Sequence, residues 1–222
     1  MKDNKIILFS NIKGGVGKST LCVLFAHYLA AKGYPVAVVD ADIQRTIARQ
    51  RKRDADRNPD KKQPWDVVSV FDFNPDGKLD RIMPVLKNQE GWILVDCPGN
   101  MEADRLVPLF TSADVVVIPT TYEEPDLDAT LSLFVPVLRE LNADAKLVFV
   151  PNRINEKLQK NMDEIKAARR KAMEQIKKFG HLTARVKDCV VFEPHRFDTL
   201  GKLDRFQEKA VEFSFDDIIA SI

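Results

Sequence analysis

One ten-residue stretch, Asn11-Ile12-Lys13-Gly14-Gly15-Val16-Gly17-Lys18-Ser19-Thr20, concentrates residue types that can do chemistry, with three glycines in four positions. Glycine reaches positive φ without a Cβ penalty, so consecutive N–H groups from Gly14 to Thr20 can turn into one concavity. A nest of that kind, opening a helix, suits a polyphosphate. Lys18 would reach its β and γ phosphates, and the Ser19 hydroxyl would ligate Mg²⁺. The alternative is a plain glycine-rich turn. Lys-Gly-Gly-x-Gly-Lys-Ser arises by chance in roughly one chain in ten thousand or fewer, which disfavours that alternative. The strict form G-x-x-x-x-G-K-[ST] is not met: Ile12 stands where its first Gly belongs, and Lys13 is an added cation.

Two further segments place carboxylates beyond apolar runs. Val38-Val39 leads into Asp40-Ala41-Asp42, and Trp92 to Val95 leads into Asp96-Cys97-Pro98-Gly99. Carboxylates at i and i+2 after a buried strand face a cation or water, or else cap the next helix. Asp96 alone is a weak signal, and its value comes from joining the other two segments. Gly99 would let the following loop sense a γ-phosphate. Cys97 reads as a small packed residue rather than a nucleophile.

Together these segments resemble the deviant phosphate-loop ATPases of the ParA/MinD family, most nearly its small partition ATPases. The resemblance implies ATP and Mg²⁺ as ligands and an ATP-sandwiched homodimer in which Lys13 reaches the partner's phosphates. It implies that Asp42 positions the attacking water, with Asp40 near Mg²⁺ and Asp96 in the outer Mg²⁺ shell. Glu123 to Asp128 would form a dimer-facing loop, with a solvated helix start as the alternative. Asn152, in Phe149-Val150-Pro151-Asn152-Arg153, would read adenine, with Phe192-Glu193-Pro194 completing that side. Ile43 and Gly99 depart from the family pattern, which usually has Pro at both places. The implied activity is ATP hydrolysis that drives segregation of DNA. It calls for nonspecific DNA binding and a ParB-like stimulating partner. A membrane-positioning switch and a metabolic ligase of similar fold are the alternatives. Residues 210–222 carry three acids and no Lys or Arg, which argues against an anionic membrane surface.

Positioning these segments requires a particular scaffold. Ile6 to Phe9, Val36 to Val39, Val67 to Val70, Trp92 to Val95, Val115 to Ile118 and Leu147 to Val150 are β-branched-rich runs without alternation. Strands buried on both faces read this way. Between them lie helix-length stretches, Ser19 to Ala31, Ile43 to Arg57, Leu79 to Asn88, Glu102 to Phe110, Leu127 to Leu141 and Glu156 to Phe179. The alternation predicts one α/β domain over residues 1–222, a doubly wound, mainly parallel sheet with helices on both faces. A further strand at Val190 to Phe192 and helices after Pro194 and near Asp216 are expected.

The chain has 222 residues, 34 Lys plus Arg against 33 Asp plus Glu, and a net charge of +1. A globally basic nucleic-acid coat protein is thereby excluded, although local patches are not. Residues 153–187 hold eleven basic and four acidic residues, and residues 45–62 hold eight and three. Either patch could meet DNA phosphates, or be a solvated face. Arg169 interrupts an apolar stripe that includes Ile165, Ala172 and Ile176. Cys22, Cys97 and Cys189 are too far apart for a CxxC pair or disulfide framework, so a reducing cytosol is expected. His27, His181 and His195 have no metal-ligand spacing.

Overall fold

The six apolar runs become neighbours in one sheet, joined by a seventh short strand. The computed structural model describes residues 4–73, 76, 79, 82–99, 103–154, 163–188 and 198–222. Its strands are β1 (Asn4–Phe9), β2 (Val36–Asp40), β3 (Asp66–Ser69), β4 (Gly91–Asp96), β5 (Val115–Thr120), β6 (Lys146–Pro151) and β7 (His181–Leu182). They lie in the order β3-β2-β4-β1-β5-β6-β7, each pair parallel. Successive side chains go to opposite faces. Ile6 and Leu8 enter one core layer, and Ile7 and Phe9 enter the other. That is why the runs do not alternate.

The helices are α1 (Lys18–Ala31), α2 (Thr46–Arg57), α3 (Val70–Phe73), α4 (Met83–Asn88), α5 (Ala103–Phe110), α6 (Glu124–Asp128), α7 (Val135–Leu141), α8 (Asp163–Ile176) and α9 (Arg205–Ala220). Between α6 and α7 the chain winds as a π segment, Ala129–Phe134. The expected helix over Leu127 to Leu141 is therefore three pieces. Val70, expected to end a strand, starts α3 instead. The expected strand at Val190 to Phe192 lies outside the described residues, as do Cys189, His195 and Glu193.

Helix α1 is not amphipathic. Every residue from Leu21 to Leu29 is buried, because the sheet covers one side and α9 the other. A helix apolar all round belongs in the interior. Phe25 meets Phe215 edge-on at 5.0 Å between ring centres, and Tyr28 Oη donates to Asp216 Oδ1 at 2.8 Å. A capping box starts α9, with Asp204 accepting from Phe206 N and Gln207 N while Gln207 accepts from Asp204 N.

Beside α1 sits a buried polar knot. Arg51 donates to Thr199 Oγ1, Thr199 O and Trp65 O, and Asp54 accepts from Thr199 N. Trp65 Nε1 donates to His27 Nδ1, and His27 Nε2 donates to Asp198 O. Those two bonds fix the neutral tautomer, and burial holds the imidazole down at about 4. The basic stretch 45–62 is consequently broken up, since Arg51 is internal, Arg45 pairs with Asp72 and Lys61 pairs with Asp198.

Candidate functional site

Register places the chemistry on one edge. Asp40 is paired with Asp96 across β2 and β4, and Phe9 with Asp96 across β1 and β4. Both carboxylates and the loop after β1 thus leave the sheet at the same level, at the carboxyl ends of the strands where ligands of such sheets bind.

The loop is shaped by donors that take its carbonyls. Lys18 Nζ donates to Lys13 O at 3.0 Å, Arg153 Nη1 to Gly15 O at 2.8 Å and Asn152 Nδ2 to Val16 O at 2.8 Å. Gly15 and Gly17 take φ of 73° and 95°. A Cβ on Gly17 would collide with the Asn152 amide, so that position has no room for a side chain. Gly14 is open to solvent and Val16 buried, while Ser19 and Thr20 open α1 half-buried. Bonds to the Lys13, Gly15 and Val16 carbonyls thus hold the loop in shape.

Lys18 is buried, and desolvation lowers its pKa while Asp96, Cys97 and Asp42 oppose the shift. Gly99 lies against the Lys18 ammonium. Asp96 is fully buried, and neither of its oxygens has a hydrogen-bond partner of good geometry among the described residues. Burial pushes its carboxyl up to about 8; the Ser19 hydroxyl pulls it down, and Asp40 and Asp42 push it further up. An orphaned buried carboxylate beside a hydroxyl and a phosphate loop fits Mg²⁺, which in such sites takes one or two protein ligands and completes its shell with water and phosphate. Ser19 and Asp96 are the residues that would hold it.

Asp40 behaves differently. Its Oδ1 accepts from Asp42 N and its Oδ2 from Ala48 N in the first turn of α2. The capping alternative thus describes its contacts, and its work is to hold the turn that carries Asp42. Asp42 is half-buried, with Oδ1 accepting from Gln44 N. Cys97 is buried, and burial drives its thiol up to about 12, in keeping with a packed residue.

Lys13 turns back on its own chain, with Nζ 3.3 Å from Asp126 Oδ1 in α6. Asn152 is buried and gives an amide hydrogen to Val16 O. Sequence reasoning did not single out Arg153, Asn11 and Thr130 for this loop. Only the left-handed φ of 57° at Arg153, uncommon for a non-glycine residue, marks one of them, and it is a structural signal. Arg169, the interruption in the α8 stripe, lies over the Tyr122 ring at 5.8 Å.

The whole arrangement has known relatives. A model of the CobQ/CobB/MinD/ParA nucleotide binding domain matches residues 7–188. The chain belongs to that family. A plasmid partition protein from Borrelia burgdorferi bound to AMPPNP superposes with a TM-score of 0.74 at 20% identity, covering 100% of both chains. The cell division ATPase MinD from Pyrococcus furiosus gives 0.69 at 19% identity, covering 99% of this chain and 100% of that one. These likenesses show the ParA/MinD ATPase fold. In sequence, a MinD protein from Guillardia theta is 23% identical over 88% of this chain and 80% of its own. An iron-sulfur cluster carrier protein from Rickettsia typhi is 56% identical over 39 residues, which span 18% of this chain and 12% of that protein.

Proposed function

We propose that this family member is an ATP hydrolase in a single domain, working as a nucleotide-dependent homodimer that moves or segregates DNA. The observation that carries the reading is the convergence of Lys18, Ser19, Asp42 and the orphaned Asp96 beside a loop whose carbonyls are held by Lys18, Asn152 and Arg153. The loop N–H groups from Gly14 to Thr20 and the Lys18 ammonium bind the phosphate tail and offset the charge that builds on it. Mg²⁺, held by Ser19 and through water by Asp96, would neutralise the β and γ oxygens. Asp42 orients the attacking water, and Asp40 fixes the backbone from which Asp42 projects. Asn152 offers adenine a donor and an acceptor while holding the loop that grips the phosphates.

Lys13 acts from the partner subunit on this reading, so dimerisation must free it from Asp126. Nonspecific DNA binding falls to α8, where Lys166, Arg170 and Lys171 are exposed, with Lys177, Lys178, Arg185 and Lys187 beyond it. The plasmid partition protein among the structural relatives supports a DNA cargo, and a ParB-like stimulating partner is part of the same proposal. Calorimetry with ATP and Mg²⁺ tests the reading: binding heat and steady phosphate release are expected, and no heat with any nucleoside triphosphate defeats it. Binding to anionic vesicles in place of duplex DNA would select the membrane-positioning alternative.

A further inference from the structure

We propose that Asn11 and Thr130 are positioning residues through which the phosphate loop and the α6–π segment move as one unit; this rests on the ATPase reading above. Four residues close a ring of contacts. Lys13 N donates to Asn11 Oδ1 at 3.1 Å, and Asn11 Nδ2 donates to Thr130 Oγ1 at 3.0 Å. Thr130 Oγ1 donates to Asp126 O at 2.7 Å, and Asp126 Oδ1 returns to Lys13 Nζ. Asn11 Nδ2 also donates to Pro119 O near the end of β5. Asn11 is 1% exposed and Thr130 0%, so their bonds are shielded from water. Leaving a buried amide or hydroxyl without its partner is costly, which makes this joint stiff.

The backbone is built around the joint. Val135 N bonds back five residues to Thr130 O, the wider winding of a π turn. Thr130 is the second residue of that segment, and its hydroxyl takes the carbonyl four residues back, a bond that competes with regular helix. Short π segments are strained relative to α-helix and recur at functional sites. Here the residue that holds Asn11 lies inside the segment, four positions after the residue that holds Lys13. When Lys13 leaves Asp126 for a phosphate, the ring opens on one side only. The Asn11–Thr130 side then carries the displacement of the loop into α6 and the π segment. The loop N–H groups that would bind phosphate are not tied to Thr130, so Thr130 should affect turnover through Lys13 and leave ATP affinity nearly unchanged.

The test is Thr130→Val, which keeps shape and removes the hydroxyl, beside Thr130→Ser, which keeps the hydroxyl. Wild type is measured first; if it binds no nucleotide, the ATPase reading fails before any variant is made, and this inference fails with it. Given binding, kcat of Thr130→Val should fall by roughly tenfold with ATP Kd within about twofold, and Thr130→Ser should restore most of kcat. Hydrogen exchange of amides 124–134 should respond to a non-hydrolysable ATP analogue in wild type and Thr130→Ser but not in Thr130→Val. If Thr130→Val does not fold, Thr130→Ala makes the same comparison. A valine or alanine variant that keeps both turnover and the exchange response overturns the proposal. So does one that loses ATP affinity while kcat of the bound protein stays intact.

Discussion

Lys18 and Asp42 lie in the same site, and the proposed function gives them separable tasks. On that proposal Lys18 carries the charge that holds a phosphate tail, so Lys18→Ala should abolish ATP binding measured by calorimetry. Asp42 is proposed to position water rather than phosphate, so Asp42→Ala should bind ATP and lose turnover by roughly 10²-fold or more, the scale of a misplaced reactant. Normal hydrolysis by Asp42→Ala would remove it from the water-positioning role. His27 makes a prediction about stability. Its folded pKa of about 4 lies below the ordinary histidine value of 6.5, so between those values the unfolded chain binds the extra proton. The neutral histidine's contribution is therefore complete above about pH 6.5 and is lost as pH falls toward 4. The loss amounts to about 2 kcal/mol by pH 5 and about 3 kcal/mol by pH 4. Urea titrations should show a shallower acid slope for His27→Gln, and equal slopes would discount the buried tautomer. Residue type and spacing marked Lys18, Asp42 and Asp96 as candidates, and the fold brings them to one edge of the sheet. For Asp40 the sequence leaves a metal ligand and a helix cap open, because both have the same local pattern. The Asp42 N and Ala48 N bonds show its capping contacts.

At the scale of elements, α1 carries the phosphate loop and must not tilt. It is gripped on both sides, and Phe215 of α9 contacts both Phe25 and Tyr28. Phe215→Ala should lower the unfolding free energy by about 3–5 kcal/mol in denaturant titration, as large-to-small changes in a fully packed core do. A loss under 1 kcal/mol would mean that α9 is a loose cover. The strands were readable because parallel sheet covered on both faces demands continuous apolar runs, and each predicted run lies within or next to its observed strand. The segment from Leu127 to Leu141 read as one helix because its apolar spacing is helical. Thr130, inside the π segment, bonds Asn11 across 119 positions, and no local window contains that contact. That α1 is buried all round is not visible locally, because its covering layer, α9, lies at the far end of the chain.

For the whole molecule, the exposed cations of α8 contrast with a net charge of only +1. Binding to random-sequence duplex DNA should require ATP and weaken steeply with salt, because phosphate neutralisation releases counterions. Arg170→Glu with Lys171→Glu should cut affinity at least tenfold and reduce the log–log salt slope by about two, with ATP turnover in the absence of DNA preserved. Unchanged filter binding by that double variant would move the DNA surface elsewhere. Sedimentation with and without a non-hydrolysable ATP analogue should show a nucleotide-dependent dimer in both proteins.

The sheet and the glycine-rich loop after its first strand were readable from the residues, because they depend on local backbone freedom and on strands that must be apolar throughout; the same reading named the candidate cation and carboxylates. Tertiary structure alone decided what those groups touch. It left Asp96 without a good hydrogen-bond partner, gave Asp40 to α2, turned Lys13 toward Asp126 and buried Arg51 within a stretch that reads as surface. The physical reason is that a charged side chain's role follows from its solvation and its partners, and residues far away in the chain supply both.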